Sequence, residues 1–150
     1  AGAERGEHVV VGICLGSQIM AEALRPGSIY PSPAMEVGLV EVGGPLGRYV
    51  VPSFHYQAIS PDLGAEPGVR IELGNAHTPV QAFTRGERAF AAQFHPELSA
   101  DDVRNLVEHH EGTIKEWGGD PALARQSLTE HALRDDLFEH LVVERIRSAG

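Results

Sequence analysis

"VVVGICLGSQIMAEAL", Val9 to Leu24, carries the chain's only cysteine and decides the reading of the fold. His8 to Ile13 is apolar at nearly every position rather than alternating. That is the pattern of a parallel strand covered on both faces, in the middle of an α/β sheet. Gly16 to Leu24 has helical character and is ended by "RPG", Arg25 to Gly27. Between the two, Gly12-Ile13-Cys14-Leu15-Gly16 reads as a strand-to-helix elbow, where flanking glycines relieve crowding as the chain doubles back. Such an elbow sets the sulfur at a helix N-terminus, where the dipole and free N–H groups stabilise thiolate. The backbone N–H of Leu15 is then placed to donate to an oxyanion. A free cysteine is also commonly a small buried residue, and spacing alone leaves both readings open.

Further along, Glu36 to Val42 and Arg48 to Val51 read as β-like stretches around the turn "GGPLG". "PDLGAEPG", Pro61 to Gly68, reads as a surface loop. Val69 to Leu73, Val80 to Thr84 and Ala89 to Phe94 read as strands, with "TRGER" as a hairpin turn between the last two. From Ser99 the pattern becomes helical. Ser99 and Asp102 have capping-box spacing, and Val103, Leu106, Val107, His110, Ile114 and Trp117 recur along one stripe until Gly118-Gly119. Asp120-Pro121 opens a second helix, and Leu137, Phe138, Leu141, Val142 and Ile146 mark a third.

A chain of 150 residues is most simply one domain, long enough to bury a core. The expected architecture is α/β and three-layered, a parallel or mixed sheet with flanking helices over 1–98 and a helical segment over 99–150. A fully apolar first strand calls for neighbours on both edges. The expectation is therefore that the domain extends upstream and that Ala1 to Glu7 cannot stand in for the missing portion.

Composition excludes several classes. Hydrophobic residues make up 42% and charged residues 22%, ordinary for a soluble globular protein. No apolar run approaches a bilayer span and no signal-peptide layout is present, so no membrane association is expected. Twelve basic against twenty-one acidic residues give a net charge of -9, and no basic run offers a phosphate footprint, which argues against nucleic acid. A lone cysteine forms no internal disulfide, in keeping with a reducing, cytoplasmic setting.

The second chemical signal is "AAQFHPELS", an apolar strand that ends on His95 and Glu97 with Pro96 stiffening the exit. A thiol nucleophile needs a base to take and return its proton, and the base needs an acceptor to fix its tautomer. His95 and Glu97 suit those two tasks. Taken singly, "HPE" reads as well as a surface histidine beside a helix-flanking acid. In the order Cys, His, Glu, and together with the elbow, the combination is specific.

"GICLGSQ" and "QFHPE" resemble the two signature motifs of class I, triad-type glutamine amidotransferases. The resemblance runs from Val9 to about Leu106 and implies a flavodoxin-like fold. It also implies hydrolysis of the glutamine side-chain amide through a thioester, with ammonia passed to a synthase or synthetase partner. By motif position Cys14 would be the nucleophile, His95 the base and acid, and Glu97 the orienting carboxylate. Leu15 would supply an oxyanion N–H and Gln18 would line the glutamine pocket. "PSFHYQAIS", Pro52 to Ser60, falls where the family contacts the amino-acid end of its substrate, which makes His55, Tyr56 and Gln57 candidate contacts.

Many amidotransferases carry glycine where this chain has Tyr56. "SFHYQAI" is closer to the γ-glutamyl-hydrolase branch, which cleaves γ-glutamyl amides without a synthase. "TPVQAF", Thr78 to Phe83, is similar to the glutaminase part of GMP synthase. Glutamine and other γ-glutamyl compounds therefore both remain open as substrate. An idle amidotransferase-like module used for binding or regulation is the alternative from another class.

Neither a cofactor nor a metal is implied. His109-His110 lacks partners at ligand spacing, and His110 sits on the apolar stripe as a half-buried packing residue. "GGPLGR" lacks the Lys and Ser/Thr of a phosphate loop. His77, His131 and His140 read as surface residues, and Trp117 as an anchor in the core.

Overall fold

The structure, a computed structural model, describes residues 8–149. Ala1 to Glu7, on which the expectation of an upstream extension turns, lie outside the described residues. The first strand, β1 (Val10–Ile13), leads through Cys14 into α1 (Leu15–Leu24), as the elbow reading requires. β1 pairs in parallel with β6 (Ala89–Ala92), and β6 continues through antiparallel β5 (Ala82–Arg85) to β4 (Val69–Leu73). The sheet is therefore mixed, in the order β1-β6-β5-β4.

Alternation along these short strands builds two cores, because successive side chains face opposite sides of a sheet. Phe83 and Ala91 point to one face, where Ala21 of α1 joins Ile59, Leu63 and Val80. Ala82, Phe90 and Ala92 point to the other, against Leu137, Leu141 and Val142 from the end of the chain and Val42 and Val51. Helices thus cover both faces, giving the three layers expected. The last segment runs as a wide π turn (Glu139–Val143) into α5 (Glu144–Ala149). Among the described residues no helix is long and apolar enough to cross a membrane.

The largest departure from the sequence reading is the ribbon of β2 (Ile29–Gly44) and β3 (Gly47–Ile59), a separate two-stranded sheet. Both strands run well beyond the expected Glu36 to Val42 and Arg48 to Val51. Pro31, Pro33 and Pro52 argue locally against strands of that length. The ribbon accommodates them because its register shifts between Pro31 and Glu36, and because Pro52 still offers its carbonyl, which accepts from the His95 N–H at 2.9 Å. Pro61 to Ala65, expected as loop, forms a 3₁₀ turn.

The ribbon's other face carries the third core. Met35 and Leu39 meet Val103 and Val107 of α2 (Ala100–His109), Ile114 of α3 (Glu111–Glu116) and Ala124 of α4 (Pro121–Glu130). α2 starts with the expected capping box, and the Asp120 carboxylate accepts from the N–H groups of Ala122 and Leu123 to open α4. Gly38, at φ 115°, lets α4 close in: a Cβ there would lie 2.6 Å from Ser127 Oγ. The helix expected to run unbroken to Trp117 instead breaks at His110. His110 is exposed rather than half-buried and sets its ring edge against Phe54, with centroids 5.8 Å apart. Trp117 is likewise 44% exposed and not a core anchor.

The contact between β1 and α1 depends on Gly12, where a Cβ would lie 2.6 Å from Met20 Sδ and 2.7 Å from the Gly16 carbonyl oxygen. The sulfur can move, but the helix backbone cannot. Gly12→Ala is expected to cost about 1–3 kcal/mol, read as a lower urea midpoint at unchanged slope. Gly16 needs no such account, since a Cβ there would meet nothing within 4 Å.

Candidate active site

Parallel pairing places the site. Ile13 lies opposite Ala92, so Cys14 and Gln93 leave the C-terminal ends of neighbouring strands side by side. This is where ligands bind in open α/β sheets. Cys14 holds φ 51° and ψ -107°, and among the described residues no other non-glycine has positive φ. Backbone strain of this kind costs about 1–3 kcal/mol and persists only when its surroundings over-determine it. Here the Cys14 N–H donates to the Ala92 carbonyl at 2.8 Å. The Cys14 carbonyl in turn accepts from Ser17 N–H at 3.0 Å, Ser17 Oγ–H at 2.6 Å and Gln18 N–H at 3.2 Å. The elbow is thereby locked with the sulfur at the start of α1. Leu15 is exposed, and its N–H, being in the first turn, has no intrahelical carbonyl to meet.

His95 follows the end of β6 and is pinned to β3 through Pro52. Its Nδ1–H donates to Glu97 Oε1 at 2.6 Å, and Cys14 at the neighbouring strand end acts on the same ring. Burial by itself would lower the His95 pKa. Hydrogen bonding and charge interaction with Cys14 and Glu97 outweigh it and raise the imidazole from 6.5 to about 9. Burial would raise Glu97, but the hydrogen bond and charge of His95 hold it below the usual carboxylate range. The three residues expected from the motifs are thus brought together.

Two of the other candidates, Gln18 and His55, are buried and engaged within the protein. Gln18 is buried, and its Nε2 donates to Gln93 Oε1 at 3.1 Å and to the Gln57 carbonyl at 3.5 Å. His55 is buried as well, with Nδ1 2.7 Å from the Gln57 carbonyl and Nε2 3.0 Å from Glu36 Oε1. Its ring is engaged on both sides within the protein. Tyr56 is exposed and stacks on Trp117, with centroids 4.2 Å apart and planes 21° from parallel.

Sequence reasoning passed over two residues. Gln93, fully buried, points Nε2 at Cys14 Sγ over 3.7 Å. Its sequence signals are a polar residue closing an apolar strand and its place as the first residue of "QFHPE". Glu36 is 6% exposed and accepts from Ser53 Oγ–H, Asn75 Nδ2–H and Gln81 Nε2–H in addition to His55. Burial pushes its pKa up, but the His55 hydrogen bond and charge, with Asn75 and Ser53, pull it from 4.5 to about 2. His77 is exposed, as expected, and also flanks this cluster: its Nε2–H donates to the Ala34 carbonyl, and Nδ1 lies 3.7 Å from Glu36 Oε2.

A mixed sheet, a cysteine elbow at a strand end and a histidine–carboxylate pair on the neighbouring strand give the chain the fold of the class I glutamine amidotransferases. Among solved structures it is similar to a glutamine amidotransferase from Thermotoga maritima, at TM-score 0.64 and 21% identity over 99% of this chain and 63% of that one. A glutamine amidotransferase from Methylobacillus flagellatus gives TM-score 0.57 at 23% identity, over 99% of this chain and 59% of that one. A putative GMP synthase subunit from Thermoplasma acidophilum gives 0.54 at 22%, over 77% and 64% respectively. The chain thus spans less than two thirds of the length of each. No family model and no curated protein sequence matches it.

Proposed function

We propose that the chain carries the catalytic centre of a cysteine-dependent glutaminase that feeds ammonia to a synthase or synthetase partner in the cytoplasm. The observation that carries this is the convergence of His95, bonded to Glu97 at 2.6 Å, with the elbow cysteine at the neighbouring strand end. At neutral pH His95 holds its proton, which it can give to a departing nitrogen. The sulfur attacks the γ-carboxamide carbon, and the oxyanion that forms meets the Leu15 N–H. His95 gives its proton to the departing nitrogen, ammonia leaves, and a γ-glutamyl thioester remains on Cys14. Neutral His95 then takes a proton from water as the water attacks the thioester, and keeps it as the sulfur and glutamate part, which restores the starting state.

The pH dependence follows from the raised His95. The proton on His95 is lost as pH climbs through about 9, so glutamine kcat/KM is expected to fall along an alkaline limb near that value. Glu97→Gln removes a partner that raises His95 and is expected to move the limb to lower pH. An unmoved limb would mean that Glu97 does not act through His95. The same shift adds stability that is complete below pH 6.5 and disappears as pH rises through about 9.

The test of the function compares ammonia release from glutamine with cleavage of γ-glutamyl amides of larger amines. Faster release from glutamine supports the glutaminase. Preference for larger amines supports a stand-alone γ-glutamyl hydrolase, the reading that Tyr56 favours where many amidotransferases have glycine. Turnover of neither substrate returns the chain to a binding or regulatory module.

A further inference from the structure

The hydrogen bonds behind Cys14 have a fixed direction. The Gln57 carbonyl can only accept. The Gln18 side chain, 3.5 Å away, must therefore turn its NH₂ group toward it. The same NH₂ group also reaches Gln93 Oε1 at 3.1 Å. With its oxygen taken, Gln93 is left presenting its own NH₂ group to Cys14 Sγ at 3.7 Å, within reach for the larger sulfur atom. Gln93 has no freedom to turn away, being fully buried with its backbone N–H donating to the Gln81 carbonyl at 2.8 Å. His55 anchors the far end, its Nδ1 on the same Gln57 carbonyl and its Nε2 on Glu36.

We propose that Gln93 is a donor to the nucleophile: its side-chain N–H stabilises the Cys14 thiolate, and Gln18 together with the Gln57 carbonyl sets the direction of that donor. A hydrogen bond offered to the charged form favours it, and a bond from a buried, pre-oriented amide needs no reorganisation when charge arrives. His95 and Glu97 follow Gln93 from the same end of β6 and act on the sulfur alongside this donor. The inference rests on the proposed role of Cys14 as nucleophile, yet its test needs no glutamine.

The experiment is the rate of iodoacetamide alkylation of Cys14 against pH, on the parent protein and on Gln93→Met, Gln93→Glu and Gln18→Met, each first checked for native circular dichroism. Gln93→Met keeps the volume and removes the donor, and its alkylation midpoint is expected to rise by about one pH unit. Gln93→Glu puts an acceptor against the sulfur and should raise it further. Gln18→Met frees the Gln93 amide to turn over and should raise it by less. Midpoints in both Gln93 variants equal to the parent's would overturn the proposal. Should neither Gln93 variant fold, the Gln18→Met midpoint decides, and an unmoved value there overturns it. A shifted midpoint in a protein that never hydrolyses glutamine would refute the glutaminase reading and leave this donor in place.

Discussion

Cys14→Ala is expected to abolish glutamine hydrolysis, by about 10⁴-fold or more, while the protein stays folded. In the proposed mechanism the loss is large because sulfur, imidazole and carboxylate act as one unit, and without the nucleophile the other two have no bond to make. Stability should move the other way. Cys14 sits at φ 51° and ψ -107°, a conformation that glycine adopts more readily than any residue with a Cβ. Cys14→Gly should therefore be more stable than Cys14→Ala by about 1–2 kcal/mol, and both should be inactive. Paired urea melts and ammonia assays check this. Turnover surviving in either variant would mean that another group attacks.

Glu36→Ala is expected to have the largest effect on stability. The carboxylate is buried and takes hydrogen bonds from His55, Ser53, Asn75 and Gln81, so its removal strands four donors at once. Breaking a buried pair by removing one partner costs about 3–5 kcal/mol, or roughly 10 °C in Tm for a chain of this size. The sign of the pH effect is fixed by the lowered pKa. Stabilisation by Glu36 is complete above its ordinary value of 4.5 and is lost as pH falls through about 2. Melts of the parent and of Glu36→Ala should thus converge as the solution is acidified toward that value, and a gap that stays constant would show that the carboxylate's charge is not what matters. Since His55 hands this anchorage on to the Gln57 carbonyl, the variant should also lose part of its turnover.

Much of this architecture is legible from local pattern. The continuous apolar run before Cys14, the capping box at Ser99 and the Asp120-Pro121 start all reach their elements because each is decided within a few residues. The long ribbon is not legible, because its prolines vote against strand locally and are overruled by a register shift. Trp117 departs from its expected place for a related reason. Helical periodicity puts it on the buried stripe, but the break at His110 rotates the stripe and leaves the indole exposed on Tyr56. At the site, Cys14, His95 and Glu97 can be found because two short motifs hold them. Glu36 cannot, since its partners lie 17, 19, 39 and 45 residues away and only folding brings them together.

The most direct measurement is mass-spectrometric mapping of the protein after incubation with a glutamine analogue bearing a diazoketone in place of the amide. The expected result is a single adduct on Cys14, formed more slowly as glutamine is added and lost in His95→Ala. An unlabelled Cys14, or labelling indifferent to glutamine, would contradict the assignment of this elbow as a glutaminase centre.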